Sequence, residues 1–233
     1  MPHVTVENTT PVPPRSRVSP RVRRVLGHLL LALVAAAISA LVWRLFPKRD
    51  LLSRLSIASA YAALAFLMAV LLLGPINVLR RRPNPVSFNL RRDLGIWAGI
   101  LAVLHAVIGL NVHLRGRPWL YFVDQHHRVR HDLFGFGNDT GTLAALFFLF
   151  LLLISNDISL RRFGSHKWKS LQRWTYAAVA LTLLHALAYQ NVEKRQLAWE
   201  LLLWCAAGLI ATFQFAGWRK MKHSAQARTS GPL

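Results

Sequence analysis

Six blocks of apolar sequence, divided by short clusters of arginine and lysine, restrict this chain more than any other feature. They run over about 25–46, 56–79, 94–114, 140–155, 173–190 and 197–218, with 140–155 the shortest. A helix needs about 20 mostly apolar residues to cross a bilayer. Backbone in hydrocarbon must hydrogen-bond to itself, and no strand-like alternation joins the blocks, so the pattern predicts an all-α integral membrane bundle of six helices. The apolar share of 54% would also suit a large soluble core, but its confinement to blocks leaves no room for one. The expected organisation is a disordered basic tail over 1–24, a six-helix transmembrane unit over 25–218 and a second tail over 219–233. The first tail is rich in proline and hydroxyl residues.

The formal charge of +20 could point to nucleic acid, yet its placement reads as topology. With the N-terminus inside, the inner segments hold 19 of the 29 lysines and arginines, including Arg21, Arg23, Arg24, Arg80, Arg91, Arg92, Arg161, Arg162 and Arg219. The outer segments hold 6 of the 9 acids. Under the positive-inside rule this predicts cytoplasmic termini, a multi-pass protein of the cell inner (plasma) membrane and no nucleic-acid partner. The first block follows a basic cluster as a secretory leader would. It continues through Leu41, Val42 and Trp43 to full spanning length, so it reads as a span. The single Cys205 excludes a disulfide framework or a cysteine-ligated cluster within one chain.

Two histidines lie deep in apolar blocks. His105 sits in RRDLGIWAGILAVLHAVIGLNVH and His185 in KSLQRWTYAAVALTLLHALAYQ. Imidazole in hydrocarbon is costly unless bonded, which makes each a functional candidate. From Asp93 to His105 and from Arg173 to His185 is 12 residues in both cases. At ~1.5 Å per residue both rings lie roughly 18 Å along their helices, and if the helices are parallel they share one level. That suits axial ligation of a b-type heme iron, and no CxxCH is present for covalent attachment. Two readings compete with it: a non-redox six-helix transporter with hydrogen-bonded core histidines, and a membrane anchor with a degenerate heme site.

Other residues carry secondary expectations. His28, one turn into the first helix, is placed either to touch a quinone or flavin or to snorkel to headgroups. Gly95 and Gly99 are spaced for close helix packing, and Gly109, one turn beyond His105, leaves space for a flat ring. Trp119, Tyr121 and Phe122 read as an interfacial aromatic belt. His126, His127 and His131 resemble a metal-ligand cluster, with His127 and His131 at the i, i+4 spacing of a helical site. Gly164 marks a turn in a basic inner loop suited to anionic lipid headgroups or to an acidic electron donor.

The segments RRDLGIWAGILAVLH, SNDISLRRFGSHKWKSLQRWTY and LLHAL resemble the ferric reductase-like transmembrane domain, including the heme-binding membrane subunits of bacterial methionine sulfoxide reductase systems. The resemblance covers about 25–218. It implies a transmembrane oxidoreductase component acting with partner proteins. Its inner donor would be quinol or a separate flavin reductase, and its outer acceptor a periplasmic redox protein or a ferric complex. In the wider family the third and fifth spans carry two histidines each and stack two hemes. His105 and His185 match the outer pair. Fourteen residues before His105 stands Arg91, and thirteen before His185 stands Gln172, so the resemblance implies one heme b near the outer face. Neither His28 nor His166 is a usual inner ligand. Arg115 and Arg117 are candidate partners of heme propionates. No GxGxxG fingerprint is present in these residues, so electrons are expected from another protein or from quinol.

Overall fold

The computed structural model describes residues 19–80, 88–114 and 117–229. The segment over 1–18, expected to be a disordered tail, lies outside them, as do Arg81, Arg82 and Arg115. Among the described residues seven helices follow one another: α1 Pro20–Leu45, α2 Leu51–Leu79, α3 Phe88–Gly109, α4 Leu133–Ile154, α5 Asp157–Gln172, α6 Thr175–Val192 and α7 Leu197–Thr229, with a 3-10 turn at Pro118–Tyr121. Among the described residues the only β pairing is an isolated antiparallel bridge between Val123 and Val129. The all-helical expectation therefore holds. Five helices, α1, α2, α3, α4 and α7, are long and apolar enough to cross a membrane; α6 has 18 residues.

Side chains just outside the helices set several starts. Ser19 caps α1 by accepting from the Val22 amide at 3.3 Å, with Pro20 in the first turn. Asp50 accepts from the amides of Leu52 and Ser53, Asp132 from Gly135 and Asn156 from Ser159. Each satisfies amides that no helical carbonyl can reach. The caps move boundaries away from the apolar windows: α1 begins at Pro20, so 20–24 are helical, and α4 begins at Leu133, seven residues ahead of its window. Polar residues such as Asn138 and Asp139 hid that first stretch, yet Asn138 is buried. At the other end α7 runs on to Thr229, well past 218. The basic loop expected on the inner side is itself the helix α5, broken at Gly164, whose φ of +73° is open to glycine at little cost.

α2 is the central element, packing against α1, α3 and α7, while α3 also meets α4 and α4 meets α6. Ser53, Ser56, Ser59, Ala62 and Ala63 make one buried small-residue stripe that lets neighbours approach closely. Below it Phe66, Leu67 and Leu71 join Ala98, Leu101, Phe148, Leu151 and Ala178 in the main core. Large apolar side chains face outward: Leu30, Leu33 and Leu153 are 64–68% exposed, which a lipid environment satisfies and water does not.

Candidate functional site

His105 reaches the interior from α3 and His185 from α6, and their ring centroids stand 5.9 Å apart with planes at 66°. The equal spacing from charge to histidine thus brings the rings to one level. Two imidazoles sharing one metal at ~2 Å bonds have centroids roughly 6 Å apart, so the separation suits a shared ion. His105 Nδ1 lies 2.9 Å from the Ser56 carbonyl and 3.2 Å from Ser56 Oγ; His185 Nδ1 lies 2.7 Å from the Gly137 carbonyl. A carbonyl only accepts, so in both rings Nδ1 carries the proton and donates it, leaving the lone pair on Nε2. Metal-binding histidines are held in this way by a carbonyl on the far nitrogen.

Glycine makes the arrangement possible. A Cβ at Gly141 would fall on the His185 ring, within 2.8 Å of Cε1 and closer still to Nδ1. Gly137 accepts Tyr189 and Ala188 at 3.1–3.3 Å from where its own Cβ would be. The two are four residues apart on α4, a close-packing signal readable in the sequence, although 137 lies ahead of the expected span. Gly109 also lines the cavity, but a Cβ there would meet Ser56 Oγ at 3.7 Å, an ordinary contact.

Both histidines line a cavity of about 420 Å³, within the range of cofactor pockets. Its deeper part is walled by Leu64, Leu67, Phe148, Leu149 and Val179. The end where α3 and α6 finish is polar, with Arg49, Tyr61, His113, Gln190, Glu193 and Arg195. Glu193 ties this rim together: Oε1 is 3.0 Å from His113 Nε2, and Oε2 accepts from Arg49 Nη1 at 2.6 Å. The His113 bond, aided by Arg49, holds the Glu193 carboxyl down from 4.5 to about 2. None of Arg49, Glu193 and Arg195 stood out in the sequence, because charged residues between spans usually serve only topology.

Several sequence candidates lie elsewhere or act differently. Arg117 is exposed and absent from the cavity wall. Tyr121 is 1% exposed; its hydroxyl donates to the Gly109 carbonyl at 3.0 Å and accepts from the His113 amide at 2.9 Å, so it caps α3 and does not sit in a lipid belt. The stretch from His126 to His131 is a tight reversal, not a helix. Asp124 accepts from the amides of His126 and Arg128, and His127 has φ +59°. Among the described residues no three His, Cys, Asp or Glu side chains gather as a metal site. His28 faces inward: Trp97 Nε1 donates to its Nδ1 at 3.3 Å, and its Nε2 is 3.6 Å from Asp93. Gln172 donates to Ser155 Oγ at 3.3 Å, and His166 is exposed on α5.

A family model described as "Ferric reductase like transmembrane component" matches residues 59–183, which include His105 and end two residues before His185. The protein-methionine-sulfoxide reductase heme-binding subunits MsrQ of Salmonella paratyphi B and Salmonella newport are each 28% identical to the chain over 137 aligned residues. The alignment takes in 54% of this chain and 58% of the relatives, so the chain spans little more than half the length of the proteins it matches. The match to the family model runs from the small-residue stripe of α2 to the α6 turn preceding His185, more than half of the residues, and on that extent this multi-pass membrane protein belongs to the ferric reductase-like transmembrane component family.

Proposed function

We propose that the chain is a membrane electron-transfer subunit for one heme b, whose iron His105 and His185 would hold. The observation that carries this is the pair of imidazoles 5.9 Å apart on two helices, each fixed through Nδ1 by a backbone carbonyl so that Nε2 is free to bind iron. The fit extends to the cavity, whose apolar walls and polar rim match a flat amphipathic group. The MsrQ relatives are heme-binding by name, which supports the same group here. When bound, heme supplies a one-electron couple. Ser56 and Gly137 orient the two rings, and the surrounding leucines and phenylalanine keep water out.

In this reading α6 spans beside the five longer helices, both termini face the cytoplasm and the cavity rim faces outward, as the distribution of basic residues favours. Electrons enter from quinol or a flavin reductase at the basic inner face and leave to a redox protein or ferric complex outside. The test is a dithionite-reduced minus air-oxidised visible spectrum of the purified protein and of His105→Ala and His185→Ala. A low-spin b-type spectrum that is lost in both variants, with helix content retained, is expected. A full heme spectrum in either variant overturns the ligand assignment, and a colourless wild-type protein expressed with ample heme favours an anchor with a degenerate site.

A further inference from the structure

We propose that Arg195, with Gln190 beside it, binds the carboxylates of the cofactor held between His105 and His185, so that the acidic edge of the cofactor faces the end of the bundle where α3 and α6 finish. This rests on the heme reading above and adds to it the residues that orient the group. Arg195 lines the same cavity as both histidines, and its Nε is buried without a hydrogen-bond partner. The turn that carries it is fixed: Lys194 adopts φ +46°, and the Arg195 amide donates to the Gln190 carbonyl at 3.0 Å. Phe46 lies 6.0 Å beneath the guanidinium.

The one acid on this rim is already engaged. Glu193 spends one oxygen on His113 and the other on Arg49. The rim therefore holds the guanidiniums of Arg49 and Arg195 against one carboxylate, a surplus of positive charge at the mouth of an apolar cavity. A buried cation is costly unless an anion meets it. Gln190 is 6% exposed; its Oε1 has no partner and its Nε2 makes only a 3.5 Å bond to Tyr61. Turning that amide presents a second donor to the same ligand. The deeper wall of leucines and phenylalanine offers nothing to a carboxylate and suits the apolar edge of a porphyrin. Arg117 is exposed and off the cavity wall, so it is the control.

The test is titration of heme-depleted full-length protein with hemin and with hemin dimethyl ester, followed by the visible spectrum, for wild type, Arg195→Gln, Arg195→Lys and Arg117→Gln. A hydrogen bond to a charged group is worth ~1.5–3 kcal/mol, so Arg195→Gln should weaken hemin about 10- to 100-fold. The dimethyl ester should bind that variant as well as it binds wild type, and Arg195→Lys should recover part of the hemin affinity. Arg117→Gln should change neither. Equal weakening for both ligands, which is what a merely structural arginine gives, overturns the proposal, as does undiminished hemin binding in Arg195→Gln. If wild-type protein binds neither ligand, the heme reading itself fails, which the first titration separates from failure of Arg195 alone.

Discussion

At position 141 nothing larger than glycine leaves His185 in place. Gly141→Ala puts a methyl group on the imidazole, and overpacking of this kind costs ~1–3 kcal/mol at the site. Heme occupancy should fall about tenfold or more with helix content unchanged, read by the heme absorbance per chain. Gly109→Ala meets only Ser56 Oγ at contact distance, so occupancy there should stay within about twofold. Equal losses in the two variants would mean that Gly141 is not what makes room for the ring. Glu193 gives a second residue-scale expectation. Its carboxyl is held near 2, below its ordinary 4.5, so the folded protein resists its protonation. The stability this contributes is complete above about pH 4.5 and is lost as pH falls toward 2. Thermal unfolding should therefore become acid-sensitive across that window, less steeply in Glu193→Gln. The other depressed carboxylates, Asp124, Asp132 and Asp157, titrate alike in both proteins, so the difference reports Glu193. Parallel pH profiles would remove Glu193 from the account. The histidines were legible because a polar ring in an apolar run is conspicuous. The carbonyls of Ser56 and Gly137 that orient them were not, since backbone acceptors leave no mark on residue identity.

Among the elements, α2 and α7 show how a proline is accommodated inside a span. Pro75 has no amide hydrogen, which frees the carbonyl four residues earlier, and that carbonyl, Leu71, accepts from Gln214 Nε2 of α7 at 2.9 Å. Gly217 brings α7 close enough for the repair, since a Cβ there would stand 3.2 Å from Pro75. Gln214→Leu should cost ~1–3 kcal/mol by leaving a buried acceptor unpaired. In a Pro75→Ala background the backbone amide can meet Leu71 itself, so the same change should cost clearly less. Stability in mild detergent across this double-mutant cycle checks the coupling, and additive losses would contradict it. The proline is plain in the sequence, near the end of the second apolar block. Its partner was not, because Gln214 is separated from it by four helices and nothing local pairs them. The same separation explains the misplaced start of α4: Asp132 caps it and buried Asn138 bonds the Tyr121 carbonyl, so tertiary contacts make helix of a stretch too polar to look like a span.

Over the whole molecule, the number of hemes depends on what fills the level of α3 and α6 nearer their starts. There the polar residues serve one another. Gln172 bonds Ser155, the Arg91 guanidinium lies against Gly74 at 3.4 Å from where a Cβ would be, and His28 is taken by Trp97 and Asp93. Arg92 meets the Ser155 carbonyl at 3.2 Å and Asp157 at 2.5 Å, fastening α3 to α5. Trp168 bonds the Ile154 carbonyl at 2.9 Å, holding α5 under α4. This end of the bundle is joined by side-chain bonds, whereas the other end has two neighbouring imidazoles that line one cavity. The difference follows from residue types: Arg91 and Gln172 carry no imidazole, and Gln172 bonds the Ser155 hydroxyl instead. Pyridine hemochrome against protein mass should therefore give about one b-type heme per chain. A ratio near two would place a second iron among residues now committed to these bonds, and His28→Ala with His166→Ala would then show which histidine had left its place. A ratio near one that falls to none in His105→Ala and is untouched in His28→Ala would tie the whole redox content of the bundle to a single level.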